Sequence, residues 1–285
     1  MLIREVLLRQ KRDINVLHSP GTYRFYLGKS KTLNDYLGNL EHTDITKDVL
    51  MEFILALRQR NGNITHSTIN KYIGVLKRAL KDQCDYIVDF KKLREVQRVI
   101  QVVPKEYIGI WLNHFYSKRS NRHSFRNYIY FRLILETGLR FSEVLSLEIN
   151  HIDFNTNTIL VKETKGKRER YVFISTELSN TIMQYIATYE IDRLLIAKNN
   201  GLRLQHEAIN AIILRAKSTL NIPKHIPLNT HTWRHTFATN YCKRGGNLET
   251  LRMILGHQDI QTTQRYIHLD SEYLRNDYMK TMKFK

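Results

Sequence analysis

Apolar positions recur along most of this chain at the three-and-four spacing of a helix that buries one face. In THSTINKYIGVLKRALKD, Ile69, Tyr72, Ile73, Leu76 and Leu80 form one such stripe, with Ser67 or Thr68 placed to cap its start. The segment from Thr46 to Arg60 repeats the pattern with Val49, Leu50, Phe53, Ile54 and Leu57. Lys71, Lys77, Arg78 and Lys81 fall mostly outside the first stripe, on the face left to solvent or to a partner. The first third therefore predicts a small helical bundle with one basic surface. For any single lysine on it, plain solvation is as good an account as binding.

A basic stretch, FKKLREVQRVIQVVPKEY, then interrupts the helical pattern, and Pro104 fits only at or near the start of the next helix. This divides the chain into residues 1–98, a helical domain with a basic linker, and residues 99–285. Helices are predicted near 105–117 and 122–137, the second stopped by Gly138. The period then changes to two. β-rich pieces fall around 151–154, 158–162 and 170–174, separated by turn residues Asn155–Asn157 and by a charged loop holding Lys162, Lys165, Lys167, Arg168 and Arg170. Helical spacing returns at about 176–189, 206–220, 232–243 (ended by Gly245 and Gly246) and 248–255 (ended by Gly256). The fold class is mainly α with a small antiparallel β-sheet, an α+β arrangement. No internal repeat or low-complexity tract interrupts it.

Charge narrows the partner. The 285 residues hold 45 Lys plus Arg against 27 Asp plus Glu, so 45 − 27 = +18 with His neutral. A pI near 9.8 favours a polyanion, nucleic acid before a membrane surface. The opening MLIREVLLRQKRD carries Arg4 and Glu5 inside its apolar stretch, unlike a signal peptide, and no apolar run approaches the ~18 residues of a membrane span. Cys84 and Cys242 show no Cys-x-x-Cys spacing, so neither a disulfide framework nor a zinc site is expected. The expectation is a soluble, intracellular protein that faces DNA or RNA.

No Gly-x-x-x-x-Gly-Lys cradle and no His-Glu-x-x-His helix appears. Phosphate-suited residues instead gather at predicted helix ends. ETGLRFSEVLSL places Arg140 between a glycine stop and a new helix capped by Ser142. NTHTWRHTFATN sets His231 and Arg234 three apart on one helical turn. LGHQDIQTTQRYIH puts His257 beside a helix-ending glycine and Tyr266 nine positions later. Two guanidiniums, two imidazoles, a lysine loop and a tyrosine suffice to clamp, protonate and attack one phosphodiester. A phenol with a reference pKa of about 10 needs an acceptor and cationic surroundings to attack at neutral pH. Its covalent intermediate conserves bond energy, so such a transesterification needs no ATP site. Taken singly, these residues have plainer readings. An arginine at a helix start is usually structural, the Lys162–Arg170 run suits a solvated hairpin tip, and His235 reads as a packing histidine. Of the 16 tyrosines, Tyr266 stands out through its spacing from His257, as Tyr273 and Tyr278 do not.

Together, Thr-Gly-Leu-Arg (137–140), His-x-x-Arg-His (231–235) and Leu-Gly-His (255–257) followed by Tyr266 resemble the signature boxes of the tyrosine recombinases, the phage integrase and Xer group. The likeness runs from about residue 105 to 272 in the family's order. It implies that Tyr266 is the nucleophile forming a 3′-phosphotyrosyl link, and that Arg140 and Arg234 hold the non-bridging oxygens. His231 matches the general acid–base partner, and His257 the second histidine on the phosphate. Lys165, flanked by Lys162 and Lys167, matches the lysine that protonates the leaving 5′-oxygen. Glu143 falls at the supporting acidic position, and Trp233 stands where leucine is usual, a core substitution. The first third is similar only in kind to the family's core-binding domain, with Lys71, Lys77, Arg78 and Lys81 as candidate DNA contacts beside Lys167 and Arg168 of the loop.

The resemblance further implies a site-specific recombinase independent of metal, ATP and any cofactor. Its partner would be a double-stranded DNA recombination site, gripped by the two basic modules as a C-shaped clamp. Four protomers would assemble on two sites, accessory DNA-bending proteins would be compatible, and the location would be cytoplasmic and nucleoid-associated, with no membrane role. Leu269, Tyr273, Leu274 and Tyr278 form a short stripe after the nucleophile, suited to a terminal helix exchanged with a neighbouring protomer or packed back on its own domain. With little room before residue 30 for an arm-binding module, the chain resembles the minimal two-domain members. That leaves an integrase of a mobile element (phage, virus or transposon) and Xer-type dimer resolution both open; the mobile element is preferred because the N-terminal third does not strongly follow the Xer pattern. A type IB topoisomerase, a non-catalytic DNA-binding protein and a metal-dependent nuclease are the rivals outside recombination.

Overall fold

The apolar stripes of the first third close on one another. In the computed structural model, which describes residues 1–95, 99–162 and 169–266 with positions 275, 278 and 279, Ile69, Ile73, Leu76 and Leu80 of α4 (His66–Cys84) are buried. They share a core with Leu50, Phe53, Ile54 and Leu57 of α3 (Lys47–Asn61), Ile3, Val6 and Leu7 of α1 (Ile3–Leu17), and Leu33 and Leu37 of α2 (Pro20–Leu37). The start of α4 differs from expectation. Thr65, not Ser67 or Thr68, is the N-cap, its hydroxyl accepting from the Thr68 N–H at 3.3 Å. A cap oxygen must stand two or three residues before the N–H it satisfies, and Thr65 meets that requirement one half-turn earlier.

This bundle belongs to the first of two units, Met1–Arg98 and Val99–Lys285. The second is organised around α6 (Arg122–Thr137), most of whose residues are buried. Pro104 caps α5 (Lys105–Tyr116). Trp111 of α5 and Phe131 of α6 meet Trp233 at ring-centroid distances of 5.4 and 5.1 Å. Trp233 is wholly buried, so the larger side chain is absorbed by an aromatic core.

The sheet is antiparallel with order β1-β2-β3: β1 (Ile152–Asp153), β2 (Thr158–Val161) and β3 (Arg170–Phe173). Its register pairs Ile159 with Val172, both fully buried, which turns one face to the core. Five further helices complete the unit among the described residues, with a one-turn helix after α6. These are α7 (Phe141–Val144), α8 (Thr176–Tyr189), α9 (His206–Thr219), α10 (Thr230–Lys243), α11 (Leu248–Leu255) and α12 (Ile260–Gln264). Two boundaries correct the expectation. α10 begins at Thr230 rather than 232 because Asn229 caps it, accepting from the His231 and Thr232 N–H groups. α7 is capped at Arg140, and Ser142 lies inside the turn.

Gly138 ends α6 at φ +65°, and a Cβ there would collide with the Phe237 ring of α10 and the Leu255 side chain of α11. Glycine alone allows the chain to turn into α7 so close to both helices. No helix among the described residues is long and apolar enough to cross a membrane.

Candidate active site

The approach at Gly138 brings α7, α10 and α11 together, and the arginines follow. Arg234 projects from the first turns of α10 into the interior, with 6% of its surface exposed. It donates to the Gly138 carbonyl, to the Leu255 carbonyl at 2.7 Å and to His257 Nε2 at 3.1 Å. Burial, reinforced by the Arg140 charge, pushes its pKa down to about 10, which still leaves it fully charged at neutral pH.

Arg140 sits at the cap of α7. Its backbone N–H and Nη1 donate to the two Glu143 oxygens at 2.7 and 2.8 Å, and Nη2 donates to the Gly256 carbonyl at 2.9 Å. The carboxylate is shared. Arg170, first residue of β3, reaches it with Nη1 at 3.1 Å and Nη2 at 2.7 Å, while its Nε donates to the Ile254 carbonyl at 2.7 Å. Burial works to raise the Glu143 carboxyl, but Arg170, with Arg140 behind it, outweighs burial and holds it below its usual range.

The C-terminal end of α11 thus has a specific occupation. The Ile254, Leu255 and Gly256 carbonyls each accept from a different arginine: Arg170, Arg234 and Arg140. The carbonyl of His257 adds a fourth, from Arg252 at 2.9 Å. Free carbonyls at a helix end carry partial negative charge. They hold the guanidiniums in place without cancelling their charge, as a full set of carboxylates would.

His257 follows Gly256, itself at φ +64°. A guanidinium can only donate, so His257 Nε2 accepts from Arg234, and its Nδ1–H is left to donate to Thr263 Oγ1 at 2.9 Å. Burial, then the charges of Arg234, Arg140 and Arg170, lower its pKa to about 3, so the ring is neutral. His231 lies at the first turn of α10 with part of its surface open to solvent, and the covered part of the ring, then Arg234 and His206, lower its pKa.

Tyr266, two residues past α12, is 3% exposed. Its phenol oxygen lies 2.8 Å from His235 Nδ1. His235 is therefore more than the packing histidine expected. The half-turn geometry of α10 carries it to the nucleophile candidate while Arg234 turns toward α11. Burial, then His231 and Arg234, press its pKa down to about 4, and burial raises that of the Tyr266 phenol against the pull of Arg234 and Arg265. At neutral pH this is a neutral imidazole against a protonated phenol.

An open cavity of about 700 Å³ lies against Arg140 and His257, with Glu143, Lys162 and Arg203 also in its walls; Arg234, His231, His235 and Tyr266 are not among its described walls. Of the expected loop residues, Lys162 is described and faces this cavity, whereas Lys165, Lys167 and Arg168 lie outside the described residues. So do Leu269, Tyr273 and Leu274, while Tyr278 is exposed. In the first unit Lys71 and Lys81 are exposed. Lys77 donates to the Phe90 carbonyl at 3.2 Å, and Arg78 pairs with Asp82 at 3.2 Å. Arg170 and His235 are the two site residues that sequence reasoning left out. His235 had a signal, its place in the 231–235 box; Arg170 was one cation among several in a charged loop.

Residues 110–272 match the Phage integrase family, more than half of the chain. This chain belongs to that family. Tyrosine recombinase XerA of Saccharolobus solfataricus is 30% identical over 273 residues, covering 92% of this chain and 87% of that protein. Among solved structures, the Tn1549 transposon integrase in complex with transposon right-end DNA matches at a TM-score of 0.81 and 19% identity over 100% of both chains. XerH site-specific recombinase bound to a palindromic difH substrate, a post-cleavage complex, gives 0.70 at 21% identity over 90% of this chain and 77% of that one. At these identities the two structural likenesses speak to fold, and the sequence matches carry the family. The protein is a tyrosine recombinase, a class of site-specific DNA strand-transferring enzymes that need neither ATP nor metal.

Proposed function

We propose that this recombinase cuts and rejoins duplex DNA through a 3′-phosphotyrosyl intermediate on Tyr266. The observation that carries the reading is the convergence of Arg140, Arg234 and His257 on one helix end, fronted by an open cavity, with the Tyr266 phenol held by the neighbour of Arg234. Arg140 and Arg234 take the non-bridging oxygens, and their fixed guanidiniums stabilise the charge that spreads over them in the transition state. His231, at the exposed turn, moves protons. Lys165 protonates the leaving 5′-oxygen, and Glu143 holds Arg140. His257, with its proton moved to Nε2, turns that nitrogen from Arg234 to the phosphate, or orients Arg234 from behind. His235 accepts a hydrogen bond from the Tyr266 phenol and orients it for attack, its low pKa leaving the proton itself to His231.

The DNA-binding surface includes the exposed Lys71 and Lys81, with Lys77, Arg78, Lys167 and Arg168 beside them. Recombination involves four strand exchanges and each chain holds one such tyrosine, so four protomers act on two sites, the segment after Tyr266 linking neighbours. Accessory DNA-bending proteins are compatible with this assembly, and a DNA target places the protein in the cytoplasm at the nucleoid. Integration or excision of a mobile element is the biological role we favour. Xer-type dimer resolution is the second reading, supported by the near full-length similarity to XerA.

The test is covalent capture. Protein incubated with fragmented DNA of its source genome in EDTA, then denatured, should retain DNA on Tyr266, and sequencing the captured ends defines the site. Tyr266→Phe, which removes one oxygen, should bind the same DNA and retain none. An undiminished adduct in the variant removes Tyr266 from the mechanism. The flanks of the captured site separate element ends from a chromosomal dimer site.

A further inference from the structure

Arg170 has no place in the chemistry above, yet it is as tightly held as the arginines that do. Its side chain is 10% exposed, as is that of Glu143. Three of its donors are engaged, two by the carboxylate and one by the end of α11. Gly256 lies against it, and a Cβ there would stand 3.1 Å from the guanidinium carbon. The residue cannot move without disturbing either Glu143 or the turn that leads to His257.

The division of the carboxylate is informative. Glu143 Oε1 accepts from Arg140 Nη1 and Arg170 Nη1, and Oε2 accepts from the Arg140 backbone N–H and Arg170 Nη2. Arg140 and Glu143 alone would form a neutral pair beside the cavity. With Arg170 the trio carries one net positive charge. We propose that Arg170 is a positioning residue for strand transfer, occupying the Glu143 carboxylate so that the charge of Arg140 stays available to the scissile phosphate. This rests on the reading above that Arg140 faces that phosphate. Were Arg170 absent, the carboxylate would turn its whole charge on Arg140, in a site where burial makes each charge count more than it does in water. Arg170 is also the first residue of β3, so one side chain ties the start of that strand to the α11 end and, through Glu143, to Arg140.

The alternative is a plain structural ion pair, and the two separate by charge. The probes are nicked suicide duplexes of the captured sequence, one with an ordinary scissile phosphate and one with a methylphosphonate there, which is uncharged. Arg170→Gln should slow single-turnover cleavage of the ordinary duplex by roughly tenfold to a hundredfold. DNA affinity should stay nearly unchanged. On the methylphosphonate the loss should shrink to a few-fold, because there is no phosphate charge left to stabilise. Glu143→Gln combined with Arg170→Gln restores one net charge to the trio and should recover much of the rate lost in the single variant. Arg170→Lys should fall between Arg170→Gln and the natural protein. Equal losses on both duplexes, or a double variant no faster than Arg170→Gln, overturn the proposal.

If Arg170→Gln fails to fold, judged by its circular dichroism and melting, the double variant carries the comparison, since it buries no unpaired carboxylate. It should then show a rate within about tenfold of the natural protein, and a slower rate overturns the proposal. Arg140→Gln separates this inference from the reading beneath it. A charge-dependent loss for Arg140→Gln without one for Arg170→Gln rejects the role of Arg170 alone. The absence of both rejects the placement of Arg140 at the phosphate, and the inference with it.

Discussion

The cations that stand out in the two units are held in opposite ways. In the first, Arg78 pairs with Asp82 one turn away on the same helix, and Arg60 reaches Asp35 at 3.9 Å; all four side chains are about half exposed. Such pairs contribute roughly 0–1 kcal/mol and can be traded for other contacts at little cost. In the second, Arg140 bonds a carbonyl 116 residues away and Arg234 one 96 residues away, both within the fold. A net charge of +18 thus mixes two populations. One is an adjustable surface field; the other is a small set of charges fixed before any substrate arrives.

The sharpest way to break this comparison is to soften a fixed charge. Arg234→Lys keeps the charge but loses the fork that reaches Gly138, Leu255 and His257 together. Cleavage should fall at least about a hundredfold and unfolding free energy by about 2–4 kcal/mol, read from single-turnover assays and denaturant melts. Unchanged values in both would mean that only the sign of the charge matters.

Acidification should come next in size. His257 and His235 are held to about 3 and about 4 in the folded protein, below the ordinary value of about 6.5. Between these limits the unfolded chain takes up protons that the folded one refuses, so stability should be level above about pH 7 and decline as pH falls from 6.5 toward 4. Hydrogen exchange during the titration should show α10 and α12 opening before α3 and α4. His257→Gln with His235→Gln should flatten the decline, and an unaltered slope would assign it to other groups.

The smallest effect is expected in the first unit. Arg78→Ala should change stability by no more than about 0.5 kcal/mol, and if the residue meets a phosphate it should lower the slope of log affinity against log salt by about one. A large stability loss would place Arg78 with the fixed population instead.

The same contrast governs what the sequence made legible. The stripes of α3 and α4 were visible because burial there repeats at the helical period, and Gly138 and Gly256 marked their turns because a left-handed residue favours glycine. Arg140, His231, Arg234, His257 and Tyr266 were legible as spaced boxes. The arrangement of Arg170 was not: its partners lie 27 and 84 residues away, and no local pattern distinguishes it from Lys162 or Lys167. The cap of α7 was misread because Ser142 has the better capping side chain, whereas Glu143 reaches back to the Arg140 N–H. His235 was misread because a histidine one residue past a catalytic candidate faces a different neighbour, and only the placement of α12 reveals which.

The carbonyls at the end of α11 have one more consequence. Every residue type supplies the same main-chain oxygen, so the anchors of three site arginines are indifferent to the identity of the side chains at 254 and 255. Substitutions there that preserve the packing of Ile254 and of the fully buried Leu255 would leave the anchors in place so long as the helix ends where it does. A single residue inserted within α11 would be another matter. It would rotate the terminal oxygens by about 100° and advance them by about 1.5 Å, uncoupling all three arginines at once. Length, rather than spelling, sets the anchors in this segment.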